Sequence, residues 1–416
     1  MRRWLSRPEP YGLLLRLLLM PLGAFWDLYA YYWLGHQWVY HGAVPASWYG
    51  GYMRFWPPFY LHAGWLWLIK PFFGSGDPWG EALRPGIALT QPWMTVEALQ
   101  GFCAQPHLHG LLVLLKAPYA LAELLMIWML LRSPLWFGAV RRRMAWVLWL
   151  NPVTLYLVYL CGTWDIIVVS ALVASVVLLR RHLSWSGLVF AVAGIMKVFP
   201  LLLFPFVVLS LKAGGRRRQT FASSVLVTVG LWFVAGTWSG VNMSAIAFGM
   251  PHYDMVTTSL LSLRYLHDRL YLFIIGYVLL VCHAVQQEEA SVSGLMRYSA
   301  AALLLFYSLC FFHPQYVLWG VPFLAGLIAR RTGFLWLCAI QVVCLGIYTL
   351  QWGPIFTTYL LAPLNPALIA QPPPLERMAQ YVEPGLVTGV AHSVFAAVSL
   401  WMAYEILRGH SRPRAL

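Results

Sequence analysis

The sequence predicts an all-α, polytopic membrane protein, and three observations carry that prediction. First, 60% of the 416 residues are hydrophobic and only 10% are charged, whereas a soluble domain carries roughly 25% charged residues. Second, the apolar residues fall into about a dozen runs, most approaching the ~20 residues that span the hydrocarbon of a bilayer. Third, the basic residues gather in short clusters between those runs: Arg141-Arg142-Arg143, Arg180-Arg181, Arg216-Arg217-Arg218 and Arg330-Arg331. A chain of this composition cannot bury its apolar surface in a water-soluble core, so lipid is the solvent that suits it.

Spans are expected at 11–26, 108–131, 144–161, 164–180, 184–198, 200–211, 220–238, 268–285, 296–312, 315–329, 333–350 and 384–407. Pro200 and Pro205 leave open whether 164–211 holds separate spans or a broken helix pair. The N-terminus resembles a signal peptide, but Arg16 interrupts its apolar run and no small-x-small cleavage site follows, so an uncleaved first helix is expected. Placing Arg2, Arg3 and Arg7 in the cytoplasm returns every arginine cluster, and the tail with Arg408, Arg412 and Arg414, to the same side, in accord with the positive-inside bias. Both termini are then cytoplasmic. An extra span at 57–73 would push Arg141 to Arg143 outside, so all of 27–107 is read as a long outer loop. Its aromatic residues (Trp48, Tyr49, Phe55, Trp56, Trp65, Trp67) suit helices lying in the membrane interface. Outer segments also run over 239–267 and 351–383. The whole of 1–416 reads as one transmembrane domain, with no visible internal repeat.

Several function classes lose their footing here. The net charge of +14 is distributed as topology signals, not as the continuous basic surface of a nucleic-acid groove. The six cysteines include no CxxC pair, so neither a zinc site nor a redox motif is indicated, and packing is their expected role. No HExxH, Walker or Rossmann glycine pattern occurs. No metal or cofactor is expected: Asp27 and Asp165 are far apart in the chain and no ligand cluster stands out.

The threading brings ionisable residues to one face. Asp27 follows span one, Asp165 opens span four, Lys197 closes span five and His313 closes span nine, all at the outer boundary. Charges at such depth are costly and default to functional candidates. Asp27, among Trp26, Tyr29, Tyr31 and Tyr32, has the makings of a general base; a solvated loop aspartate or a cap is the plain alternative. Lys197, just before the Pro200 break, is a point charge suited to a phosphate oxygen; the alternative is a lysine reaching to the headgroups. Helix capping alone accounts for Asp165. His313, with Gln315 in the break His313-Pro314-Gln315-Tyr316, is either a substrate-orienting group or an interface histidine. The outer segment around Pro251 to Tyr265 offers His252 and, as a second phosphate binder, Arg264. Lys116 and Glu123 sit seven apart on one helix face; Lys116 is expected to reach the same cavity, Glu123 to pair internally.

Three stretches carry a family resemblance: Trp26-Asp27-Leu28-Tyr29 followed by Trp56-Pro57-Pro58-Phe59-Tyr60; Asn151-Pro152 through Gly162-Thr163-Trp164-Asp165 to Lys197-Val198-Phe199-Pro200; and His313-Pro314-Gln315-Tyr316 with Trp319 and Pro322. In this order the chain resembles the GT-C superfamily of membrane glycosyltransferases, especially bacterial polyprenol-phosphate-mannose-dependent mannosyltransferases. It departs from that pattern at Thr163, where a glutamine is expected. The resemblance implies an enzyme of the bacterial plasma membrane that moves a hexose, by preference mannose, with inversion. The donor is a polyprenyl-phosphate sugar and the acceptor a lipid-linked or cell-envelope glycan. Asp27 inherits the role of base, Lys197 with Arg264 would neutralise the departing lipid phosphate, and His313 would position donor or acceptor. The rival readings are a lipid or sugar transporter, whose polar groups would line both sides and mid-depth, and a non-catalytic partner subunit.

Overall fold

The computed structural model describes residues 7–42, 56–73, 76–83, 95–134, 136–211, 215–243, 257, 260–262, 269–287 and 289–408. Their secondary structure is almost entirely helical. The first helix, α1 (Glu9–Leu19), starts on Pro8 and Pro10, where a missing N–H costs nothing because the first turn has no partner for it. It stops well short of the expected residue 26. Pro21 cannot donate to a continuing helix, and Phe25 takes an extended conformation (φ −90°, ψ 160°) that opens a new helix, α2 (Trp26–His41). Asp27 therefore lies in the first turn of α2 and does not trail the first span.

The segment expected to form the outer loop continues with α3 (Pro57–Ile69), α4 (Pro78–Leu83) and α5 (Val96–Cys103). Two of these behave differently from one another. α2 is buried on every side from Leu28 to His36, which makes it a core element and not a helix lying on a surface. α3 leaves Tyr60, Leu61, Trp67 and Leu68 exposed, the amphiphilic edge expected of an interfacial helix. Thr95 caps α5, its hydroxyl oxygen accepting from Ala98 N at 3.3 Å.

The bundle proper begins with α6 (Leu108–Arg132) and α7 (Gly138–Trp149). The chain continues from α7 through Asn151, whose carboxamide oxygen accepts from Thr154 N at 3.0 Å, into π-helical turns over Leu155–Cys161. Then come α8 (Asp165–Leu178), α9 (Leu183–Met196), α10 (Phe199–Leu209) and α11 (Arg216–Trp238). Strands β1 (Leu260–Ser262) and β2 (Arg269–Tyr271) form a short antiparallel ribbon. They precede α12 (Leu272–Gln286) and α13 (Val292–Leu309); a 3-10 turn (Pro314–Gly320) leads to α14 (Val321–Arg330), and α15 (Phe334–Thr349) and α16 (Pro384–Arg408) follow. Among the described residues, six helical segments are long and apolar enough to cross a membrane: Leu108–Arg132, Gly138–Cys161, Arg216–Trp238, Val292–Leu309, Phe334–Phe356 and Pro384–Arg408. Four more apolar helices, α8, α9, α10 and α12, are shorter. A helix the length of α8 or α9 rises about 21 Å, against a hydrocarbon layer of about 30 Å.

Several buried polar groups of the bundle are matched to partners across long stretches of chain. Arg16, buried on α1, donates through Nε to Glu123 Oε2 of α6 at 2.9 Å and through a terminal nitrogen to the other carboxylate oxygen. Its remaining donors reach Trp149 O (2.6 Å) and Gly12 O (3.0 Å), and Tyr159 Oη donates to Glu123 at 2.7 Å. The internal pairing expected of Glu123 is thus met by an arginine 107 positions away in the chain. Ser175 and Ser186 exchange hydroxyl-to-carbonyl bonds of 2.9 and 2.8 Å that lock α8 to α9.

Candidate functional site

The site is assembled at the end of the bundle opposite the arginine clusters. The π-helical turns end at Gly162, which sits in the left-handed region (φ 79°, ψ 47°). Thr163 then folds back, its N–H and its hydroxyl both donating to Leu157 O at 3.0 and 3.1 Å. This turn delivers Trp164 and places Asp165 as the first residue of α8, fully buried. At the other end of the neighbouring helix, Lys197 follows the last turn of α9 in an extended conformation (φ −154°, ψ 138°). Pro200 is then accommodated in the first turn of α10.

The two short helices thereby put opposite charges side by side. Lys197 Nζ lies 3.0 Å from Asp165 Oδ1 and donates to Oδ2 at 3.1 Å. Trp319, in the 3-10 turn, donates its indole N–H to Asp165 Oδ1 at 2.7 Å. The ammonium also lies 4.8 Å from the ring centres of both Trp164 and Tyr316, within cation–π range. Tyr316, Trp319 and Phe199 stack in sequence, with ring centres 4.1 and 4.2 Å apart. Asp165 does not act as a side-chain cap of α8; it is the carboxylate partner that fixes Lys197.

Asp27 faces the same group from α2. Gln315 Nε2 approaches its Oδ2 at 3.4 Å, a weak contact. Among the described residues, the other end of that buried carboxamide, Gln315 Oε1, has no hydrogen-bond partner. One turn beyond Asp27, Tyr31 stacks on His62 of α3 at 4.4 Å and meets Trp56 and Trp164 at 5.5 and 5.8 Å. The Trp56 indole donates to Met196 O at 3.3 Å, tying the start of α3 to the end of α9. His62 lies 2.5 Å from Pro58 O through Nδ1, and Tyr119 Oη lies 2.6 Å from its Nε2. Nδ1 is therefore the donor, and the tyrosine donates to Nε2.

Electrostatics follow from this burial. Desolvation raises the pKa of Asp27 from 3.8 to about 6; Lys197 opposes the shift and Asp165 adds to it. Burial lowers that of His62 to about 4 against the pull of the Pro58 carbonyl, keeping the ring neutral.

The residues expected at the site divide into three groups. Asp27, Asp165, Lys197 and Gln315 come together as described. His313 borders them in an extended link that begins after Leu309, its ring 4.2 Å from Trp352 and 5.4 Å from Tyr316. Lys116 does not reach the cavity expected of it. Its ammonium is buried among four carbonyl oxygens: Met20 (2.8 Å), Gly23 (2.5 Å), Tyr159 (2.9 Å) and Leu160 (2.9 Å). Those carbonyls lie at or just past the ends of two helical segments, where acceptors lack helical partners, and the lysine supplies the donors. Arg264 and His252 lie outside the described residues. Sequence reading missed His62 and Tyr119; the only signal for them was a histidine inside an otherwise apolar run. No protein-family model, curated protein or solved structure matches the chain.

Proposed function

We propose that the chain is a membrane glycosyltransferase of GT-C type, moving a hexose from a polyprenyl-phosphate donor to a hydroxyl of a lipid-linked or cell-envelope glycan, with inversion. The observation that carries the reading is the pairing of unlike groups at one end of the bundle. A partly buried carboxylate, Asp27, has raised proton affinity, and a cation, Lys197, is held beside it by Asp165 and two ring faces. A base with a pKa near 6 is ionised at neutral pH yet strong enough to take a proton from an acceptor hydroxyl as its oxygen attacks. The acceptor oxygen forms a bond to the anomeric carbon while the carbon–oxygen bond to phosphate breaks. The electron pair leaves on the lipid phosphate, where Lys197 stabilises the added charge.

Preorganisation supports the same roles. Asp165 and Trp319 fix the lysine before substrate arrives, so little reorganisation is needed as charge develops. Gln315 Oε1, buried and without a partner, can accept from a sugar hydroxyl. With all twelve apolar segments threaded through a bacterial plasma membrane, the arginine clusters and both termini face the cytoplasm and the site opens outward. The short helices α8 to α10 leave room for a headgroup below the membrane surface, and the donor's tail lies between helices.

The deciding experiment is sugar transfer by the purified protein in lipid nanodiscs, given polyprenyl-phosphate mannose and a cell-envelope glycolipid extract. The wild type transfers the sugar; Asp27→Asn, equally folded, loses about 10²- to 10⁴-fold, the usual worth of a general base. Movement of the lipid-linked sugar between leaflets without transfer would favour the transporter reading instead.

A further inference from the structure

We propose that His36, His41 and Glu81 form a binding site for a divalent transition-metal ion, with zinc the best fit, that pins α4 to the C-terminal half of α2. The three donor atoms, one from each residue, lie within 4.8 Å of one another. Asp77 sets the chemistry of the first. Its wholly buried carboxylate accepts from the Tyr32 hydroxyl, from Gly80 N at 3.1 Å and from His36 Nδ1 at 2.8 Å. With the proton on Nδ1, His36 turns the lone pair of Nε2 toward Glu81 Oε1, 3.2 Å away. His41 Nε2 lies 2.8 Å from the same oxygen. His41 Nε2 can donate to that oxygen as an ordinary hydrogen bond, but the lone pairs of His36 Nε2 and Glu81 Oε1 face each other, and a cation between them relieves that repulsion.

A metal satisfies all three donors at once, whereas a proton serves one contact at a time. Zinc sits about 2.0–2.1 Å from imidazole nitrogen and carboxylate oxygen, which puts tetrahedral donors about 3.3 Å apart; the 3.2 Å between His36 and Glu81 matches this, and the 2.8 Å between His41 and Glu81 would open slightly on binding. Two nitrogens and one oxygen favour zinc over calcium or magnesium, which select all-oxygen sets. The carboxylate behind His36 matches the carboxylate–histidine–metal arrangement that fixes the ring and raises its basicity. The backbone also makes room for that ring: a Cβ at Gly80 would fall 2.2 Å from His36 Nδ1. Glu81 and His41 are 44% and 34% exposed, so solvent can complete the coordination. The site lies nine residues along α2 from Asp27, about 13 Å at helical rise, so the ion fastens the outer segment and takes no part in sugar transfer. This runs against the absence of a metal expected from the carboxylates Asp27 and Asp165, which belong to the other site.

The test uses the full chain purified without a polyhistidine tag, stripped with a chelator and titrated with Co²⁺ and then Zn²⁺. One equivalent of Co²⁺ should bind with the visible absorption of a four-coordinate site, be displaced by Zn²⁺, and raise the unfolding temperature. His41→Ala and Glu81→Gln, at partly exposed positions that tolerate change, should each weaken binding at least tenfold. Asp77→Asn, a positioning change, should weaken it about 10- to 100-fold. No stoichiometric uptake, or uptake unchanged in both His41→Ala and Glu81→Gln, would overturn the proposal and leave a proton as the bridging charge.

Discussion

Lys197 and Asp165 form an ion pair in which the carboxylate is wholly buried and the ammonium nearly so, 3.0 Å apart. The pair joins the residue just past the end of one short helix to the first residue of another. Removing one partner leaves the other as an uncompensated buried charge, which typically costs about 3–5 kcal/mol. Asp165→Asn should therefore lower stability by that order, measured by unfolding of the substrate-free protein in detergent. The double change Asp165→Asn with Lys197→Met should cost clearly less than the sum of the single changes. Additive losses would mean that the two groups do not interact.

The pH dependence follows from Asp27. Its pKa in the folded protein, about 6, lies above the ordinary 3.8, so the native state holds the proton more firmly. Stability from this group is fully present below the ordinary value and is lost as pH rises through about 6. Transfer activity runs the other way, because the base must be ionised: the rate should fall tenfold per pH unit below about 6. Lys197 opposes the shift, so residual activity in Lys197→Met should show this acid limb displaced to higher pH. A limb left in place would remove Lys197 from the electrostatic surroundings of Asp27.

At Arg16 and Glu123 the expectation concerns folding alone. Glu123→Gln takes away the charge facing a buried guanidinium and should destabilise by about 3–5 kcal/mol. Arg16→Met with Glu123→Met, which removes both charges, should recover much of that loss. Thermal unfolding of the two variants separates the outcomes, and equal losses in the single and double variants would refute the argument.

Gly162→Ala tests the turn that delivers Asp165. The left-handed backbone costs an L-residue about 1–2 kcal/mol, and a Cβ there would lie 2.9 Å from Lys116 Cε. The variant should lose at least that much stability and show reduced transfer, since Trp164 and Asp165 move with the turn. Wild-type stability in this variant would mean that the turn tolerates a side chain.

The sequence made some of this legible and concealed the rest for physical reasons. Apolar runs and arginine clusters located the helices and their alternation, and alternation alone brings Asp165 and Lys197 to a common end. Gln315 could be expected there too, through the polar break that contains it. The interruption between Leu19 and Trp26 was masked because the residues across it remain apolar, although Pro21 and Gly23 were its signal in the sequence. Lys116 misled for a related reason. A lone cation in an apolar helix looks like a ligand for substrate until the helix ends that surround it are known. The partners His36, His41 and Glu81 are separated by up to 45 residues, and no local spacing joins them.

The four carbonyls around Lys116 also dictate an order of synthesis. Two belong to Met20 and Gly23, made early, and two to Tyr159 and Leu160. The nascent first helix therefore cannot take its final seat until translation has passed Leu160, and until then the lysine must keep its charge at the lipid headgroups or in the insertion machinery.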